Sequence, residues 1–345
     1  MHPLSADANH QPQDRRISTS ETLMKLFCSL ILALGCLASG GTAAAQGYPD
    51  KPIRMIIPAA PGGGVDSAGR ILAMRLSDTL GVPVVAENMA GAGTMLASEA
   101  LARSQPDGYT ILMATSSHIV NAAVRKIRRY DAIRDFAAVS LVGSTPDLLV
   151  VNSQSSIKSV ADLIAAAKKA PGKITFGSSG LGSLSQLEPE LLKDAAGIDM
   201  LGVPYRGGVP AVMALIGNQV NTLFLGVVAL APQIAANKLR PIAVTSKTRL
   251  ARFPNVPTMA ESGFPDWDTG TWYGVLVPAK TPPAIVALLN KQINDALKQP
   301  EVRNKLSAAG IEPQATTAEQ FSSLMKSDLA HWQKVVKKLP QLKIN

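Results

Sequence analysis

The residues that could do chemistry in this sequence are glycines and hydroxyls gathered in four short segments. These are Pro61-Gly62-Gly63-Gly64, Gly91-Ala92-Gly93, the stretch 177–183 and Tyr205-Arg206-Gly207-Gly208. Each stands where a short apolar run gives way to a helical pattern. Glycine lets backbone N–H groups approach a bound group with no side chain in the way. A helix start adds unpaired N–H donors and a partial positive charge, so the combination suits an anion. One such segment reads equally well as a tight turn; several facing one cleft read as an anion site. The candidate contacts are Ala60, Gly62, Gly63, Gly64, Ser178, Ser179, Gly180, Ser183, Tyr205, Arg206 and Gly207, with Ser117 and His118 after the third strand. Asp66 has two readings. As an N-cap it would accept from the backbone N–H two or three residues on; as a ligand contact it would order water or meet an amino or hydroxyl group.

Other chemistries lack their residues. Cys28 and Cys36 are the two cysteines, both in the first 45 residues, so beyond them there is no material for disulfides, thiol catalysis or cysteine-ligated metal. Gly177-Ser178-Ser179-Gly180 has the wrong spacing for a nucleophile elbow. No Walker A segment is present, and Gly180-Leu181-Gly182 leads to Ser185 where a dinucleotide motif needs Gly or Ala. After residue 45 the histidines are His118 and His331, too far apart for a metal motif. No cofactor, metal or catalytic residue is expected. The net charge is +9, with one dense cluster, Arg125-Lys126-Ile127-Arg128-Arg129. With aromatics at 4%, stacking on bases has little to work with, and nucleic acid is not an expected partner. The cluster reads as a solvated face, and the overall charge would steer anions inward.

The elements that must position these loops alternate. Strand 53–57, helix 66–80, strand 82–87, a helix ending at Leu101 and strand 109–114 spell β-α-β-α-β, the pattern of a parallel sheet covered on both faces. It restarts with strand 148–152 and helix 160–169. Strand 174–177, helix 186–195, strand 201–205, helix 209–216 and strands 222–225 and 241–245 follow. Segment 272–277 is again β-like, and 283–298, 301–309 and 318–338 are helical. The closing helices have no sheet of their own and should pack on the first half. This predicts two α/β domains, 46–146 plus 272–345 and an inserted 147–271, with a hinged cleft between them.

The N-terminus reads as an address. Lys25, an apolar run too short to span a bilayer and Ala43-Ala44-Ala45 make a secretory signal peptide cleaved before Gln46. Met24 would be a natural start, leaving 1–23 as an extension of uncertain translation. The expected location is outside the cytoplasm, in an oxidising compartment.

The ordered run of motifs resembles the tripartite tricarboxylate transporter receptors, the TctC or Bug-type solute-binding proteins. The matching segments include Tyr48-Pro49-Asp50-Lys51-Pro52-Ile53-Arg54, Pro61-Gly62-Gly63-Gly64-Val65-Asp66 and Gly177-Ser178-Ser179-Gly180. Val203-Pro204-Tyr205-Arg206-Gly207-Gly208-Val209-Pro210-Ala211, Leu239-Arg240-Pro241-Ile242-Ala243-Val244-Thr245-Ser246, Val256-Pro257-Thr258-Met259-Ala260-Glu261-Ser262-Gly263 and Trp272-Tyr273-Gly274 complete the set. The resemblance implies an α/β two-domain periplasmic-binding-protein fold, type II-like, closing on one small organic anion: a di- or tricarboxylate, an aromatic carboxylate or an acidic amino acid. It implies that loops 62–66 and 178–183 grip a carboxylate through backbone groups and water. It implies a monomer, not membrane-spanning, that hands its ligand to a small and a large integral-membrane subunit. Two other roles remain: a sensing co-receptor, or a secreted enzyme on the same fold. The chain departs from the family pattern where Ser185-Gln186 replace a frequent histidine, where Ala214 replaces a frequent Asp, and at Gly217-Asn218-Gln219-Val220-Asn221.

Overall fold

The computed structural model describes residues 47–126 and 129–344, so the expected leader with Cys28 and Cys36, and Ile127 and Arg128 of the basic cluster, lie outside the described residues. Pro49–Asn345 is one compact unit.

The first half is built on β1 (Ile53–Ile57), which pairs in parallel with β2 (Val84–Asn88) and β3 (Thr110–Thr115). The β1 side chains Ile53, Met55, Ile56 and Ile57 are wholly buried, as an apolar central strand requires. Helix α1 (Gly64–Leu80) follows β1, α2 (Met95–Ala102) follows β2, and α3 (Ser116–Val124) follows β3.

β4 (Phe136–Asn152) is the spine of the molecule. Its first part, to Pro146, pairs with β9 (Gly270–Pro278); from Asp147 it pairs with β7 (Thr222–Gly226) and β8 (Leu239–Val244). The second half adds α4 (Val160–Lys169), β5 (Thr175–Ser178), α5 (Leu184–Ala196), β6 (Leu201–Pro204), α6 (Gly208–Ile216) and α7 (Val227–Ala235). The main strand order is β2-β1-β3-β9-β4-β7-β5-β6. The chain ends in α8 (Pro283–Lys298), α9 (Pro300–Ala308), β10 (Glu312–Pro313) and α10 (Ala318–Lys338). Phe321, Met325, Trp332 and Val336 of α10 sit in one core with Ile56, Leu112 and Val120, so the final helix packs on the first half.

Three sequence expectations are corrected. The sheet is mixed rather than parallel: β9 returns antiparallel between β3 and β4, and β4 is antiparallel to β7 and β8. β4 begins at Phe136, not 148, because bulges at Ala138/Ser140 and Leu141/Gly143 and a mid-strand Pro146 break its alternation. Helices α3 and α7 were not anticipated; eight of the nine α3 residues are buried, which erases the one-sided pattern that marks a surface helix.

Candidate functional site

The loops after β1, β2, β3, β5, β6 and β7 converge on a cavity of about 100 Å³, room for several waters or a compact small molecule. Among the residues lining it, none is Lys, Arg or His. Its positive character comes from backbone. Six helices present their first residues or N-caps to it: Gly63 and Gly64 for α1, Thr94 for α2, Thr115 and Ser117 for α3, Leu184 and Ser185 for α5, Gly207 and Gly208 for α6, and Gly226 for α7. None of these six has a side-chain cap of its own; the first N–H of α5, on Leu184, meets Ser117 Oγ and that of α2, on Met95, donates to the Ala92 carbonyl, while the other four starts have no such partner among the described residues.

Asp66 takes neither expected position. Helix α1 starts two residues earlier than anticipated, with Gly63 as N-cap, which places Asp66 inside the first turn and buries it. Its carboxylate reaches backward. Oδ2 accepts from the Gly62 N–H at 2.9 Å, and Oδ1 accepts from Arg70 Nε at 2.9 Å and Asn88 Nδ2 at 2.8 Å. Burial raises its pKa, but these bonds outweigh burial and hold it below the ordinary value. Asp66 therefore fixes the glycine loop from behind and does not line the cavity.

His118 also turns away. It is fully buried in α3, with Nε2–H donating to the Ala132 carbonyl at 3.0 Å and Nδ1 accepting from Ser98 Oγ at 2.8 Å. Tyr130 stacks on its ring and Phe136 meets it edge-on. Burial pushes its pKa down to about 4, only partly offset by the Ala132 carbonyl, so it is a neutral core side chain.

The Gly/Ser loop is tied internally. Ser185 Oγ accepts from the Ser179 N–H at 2.9 Å and lies 3.0 Å from Ser183 Oγ, which donates to the Gly180 carbonyl at 2.7 Å. The Gly207 N–H donates to the Ser179 carbonyl and the Tyr205 N–H to the Ser178 carbonyl, joining this loop to the next. Of the anticipated residues, Gly63, Gly64, Ser117, Ser179 and Gly207 line the cavity. Ala60, Gly62, Ser178, Gly180, Ser183, Tyr205 and Arg206 flank it without lining it; Arg206 is exposed.

The loops of the two halves touch. Arg125 donates to the Leu181 carbonyl at 3.0 Å, and the Leu184 N–H meets Ser117 Oγ at 3.3 Å. Gly93 has φ +62°, and a Cβ on it would strike the Leu181 carbonyl oxygen, so only glycine permits this approach.

The sequence reading missed one end of the cavity. Asp147 lines it at the point where β4 changes partners, beside Thr271 and Tyr273 of β9. Behind Asp147 stands Glu188 of α5; both carboxyls are buried and close enough to act on each other. Burial, chiefly, pushes Asp147 up to about 6 and raises Glu188 well above the usual range, the latter also through the charge of Asp147. Burial and the same charge raise the Tyr273 phenol, which stays protonated. The available signal was an acidic residue after Pro146, breaking into an apolar strand. Ser185, Thr115 and Gly226 line the cavity too and were passed over.

The comparisons with known proteins settle the family. The model of the tripartite tricarboxylate transporter family receptor, TctC, matches residues 68–340. The chain belongs to this receptor family. BugT of Bordetella pertussis is 38% identical over 306 residues, covering 87% of this chain and 94% of that protein. Among solved structures, a Rhodopseudomonas palustris protein with adipate is 32% identical with a TM-score of 0.81, covering 84% of this chain and 97% of the other. MatC of R. palustris with bound malate is 30% identical with a TM-score of 0.80, covering 84% and 100%. The TctC receptor therefore has the α/β periplasmic-binding-protein fold, with the cavity between its two halves. Among the described residues no helix is long and apolar enough to cross a membrane, and no cluster of three or more His, Cys, Asp or Glu could hold a metal.

Proposed function

We propose that this receptor captures a small organic anion by its carboxylate, between the glycine loops of its two halves, and delivers it to the small and large membrane subunits of a tripartite tricarboxylate-type transporter. The observation that carries this is the convergence of six uncapped helix starts on a cavity with no cationic side chain. A carboxylate there takes up open N–H donors that water would otherwise have to serve. Gly63, Gly64, Ser117, Ser179 and Gly207 are the contacts, and Gly62, Asp66, Ser178, Gly180 and Ser183 hold their loops in place. Domain 46–146 plus 272–345 and domain 147–271 move about the crossings at Pro146–Asp147 in β4 and at the start of β9. Export to the periplasm and the solution state of a monomer belong to the same reading. A charged hydrogen bond contributes roughly 1.5–3 kcal/mol, so a few of them reach the −8 kcal/mol or so of micromolar binding. A thermal-shift screen should show carboxylates raising the melting temperature. If only neutral sugars or cations did so, the assignment would fail.

A further inference from the structure

Asp147 is the one carboxyl among the residues lining the cavity, in a site whose other polar groups are backbone N–H groups, hydroxyls and the Tyr273 phenol. It is 1% exposed and built in from three sides. Its backbone N–H donates to Thr245 Oγ1 at 2.9 Å, and its Oδ1 accepts from Thr271 Oγ1 at 3.4 Å. Behind it, Glu188 is 0% exposed; Thr269 Oγ1 donates to Glu188 Oε1, while Glu188 Oε2 finds no donor. The titratable groups acting on Asp147 and Glu188 are each other, and Asp147 also acts on Tyr273; no cation is among them.

Two buried carboxyls close enough to act on each other cannot both be ionised without large repulsion, so the pair holds a proton at neutral pH. Placed on Glu188, that proton turns an acceptor lacking a donor into a donor toward Asp147. Asp147 then keeps its charge and its remaining lone pairs for the cavity. An acceptor-only group presented to a bound ligand demands a donor from it. A second carboxylate at the same place would meet repulsion.

Resting on the anion-binding reading above, we propose that Asp147, oriented by Glu188, selects a carboxylate that carries a hydrogen-bond donor, hydroxyl or ammonium, over the same carboxylate without one. Asp147 is the group that meets the ligand, and Glu188 is a positioning residue.

Calorimetry at pH 8 with three matched series tests this: succinate, L-malate and L-aspartate; propionate, L-lactate and L-alanine; phenylacetate and mandelate. In at least one series the donor-bearing member should bind tenfold or more tightly than the plain one. The hydroxyl and ammonium members separate the two kinds of donor. Asp147→Asn, nearly isosteric, should bring that ratio to within about threefold. In the wild type the preference should weaken as pH falls through about 6, where Asp147 gains a proton. Asp147→Asn at each pH corrects for titration of the ligand itself. Glu188→Gln keeps a donor to Asp147 while removing the second acid. It should retain the preference with a pH midpoint near that of the wild type, whereas Glu188→Leu, which takes away the donor that lowers the Asp147 pKa, should move the midpoint upward, a shift that a merely structural role would not produce. If carboxylates bind but the plain members bind as well, or Asp147→Asn keeps the preference, this proposal is overturned and the anion site stands. If no carboxylate binds the wild type, both are overturned.

Discussion

Helices begin in three ways in this molecule; α8 and α9, away from the cavity, have no side-chain cap but open on a proline, which has no N–H to leave unpaired. α4 and α10 start away from the cavity and close their first turns with side chains. Ser159 Oγ accepts from the Asp162 N–H at 3.1 Å, and Thr317 and Gln320 form a reciprocal capping box. The six helices that start at the cavity have no such cap, and three of them have glycine at the N-cap position: Gly63, Gly207 and Gly226. A Ser, Thr or Asp cap replaced by a residue that cannot accept typically costs about 1 kcal/mol. The repetition of that omission around one cavity fits the proposed use of those starts as donors for a bound anion. On that proposal, backbone groups stand in for Arg and Lys. Backbone donors hold fixed positions and carry no long side chain to order.

Filling one of those open starts should have the largest effect. Gly63 has extended backbone, φ −88° and ψ 177°, and a Cβ there meets nothing within 4 Å. Gly63→Asp therefore fits without strain and supplies the missing cap. Its carboxylate would take the α1 donors and repel a bound anion. Carboxylate affinity should fall 100-fold or more, about 3 kcal/mol, while the melting temperature holds or rises. Calorimetry alongside thermal unfolding reads both. Undiminished binding would mean that α1 does not serve the ligand.

The carboxyl end of the cavity is the counterpart of the open helix starts, because there the fold buries acid rather than donors. Asp147 titrates near 6 in the folded chain against 3.8 when free, so the folded state holds a proton that the unfolded state has released. Stability is then greatest below the unfolded value and falls as pH rises through about 6, by on the order of 3 kcal/mol for a shift of that size. Glu188→Gln removes the repulsion. The variant should unfold at higher denaturant than the wild type at pH 8, and the gap should shrink toward pH 4. Parallel curves across that range would show that the two acids do not share a proton.

Asp66 has the opposite sign. Its pKa lies below the ordinary value, so its contribution is present above about 4 and is lost as pH falls through the depressed folded value. Three donors converge on its two oxygens, from Gly62, Arg70 and Asn88. Asp66→Asn replaces one acceptor oxygen with an amide that faces those donors. A loss of roughly 1–3 kcal/mol in unfolding free energy is expected, with weaker ligand binding as loop 61–64 loosens. A plain N-cap would tolerate the change, so an unaltered midpoint would return Asp66 to that role.

Legibility followed local pattern. Val160–Lys169, Pro283–Lys298 and Ala318–Lys338 are one-sided helices with flanking caps or prolines, and their bounds were readable residue by residue. The glycine loops were readable because few residue types can occupy them. β4 was only half readable: its bulges and Pro146 hide a strand held by partners on both sides. His118 shows the limit of reading a residue by its type, since Tyr130 and Phe136 close over it and turn a candidate ligand contact into core. Asp147 and Glu188 belong to one site only because β4 and α5 meet at the crossing between halves, a pairing that no spacing along the chain announces.

The smallest expected effect is the control for the comparison. Thr317 caps α10: its hydroxyl oxygen accepts from the Gln320 N–H at 3.1 Å, and Gln320 Oε1 accepts from the Thr317 N–H at 2.9 Å. Thr317→Ala removes the first bond and leaves the Gln320 N–H to water, because the start of α10 is exposed. The cost should be about 1 kcal/mol, near the middle of the range for lost caps. In a chain of this size that lowers the melting temperature by about 2 °C. Carboxylate affinity should stay within twofold of the wild type, since neither Thr317 nor Gln320 lines the cavity. The same kind of change thus separates these two classes of helix start. Deleting a cap at α10 costs stability and spares binding, whereas adding one at α1 spares stability and costs binding. If Thr317→Ala weakened ligand binding in proportion to its loss of stability, caps and site would be coupled through the fold. The uncapped starts could then no longer be read as donors held open for the ligand.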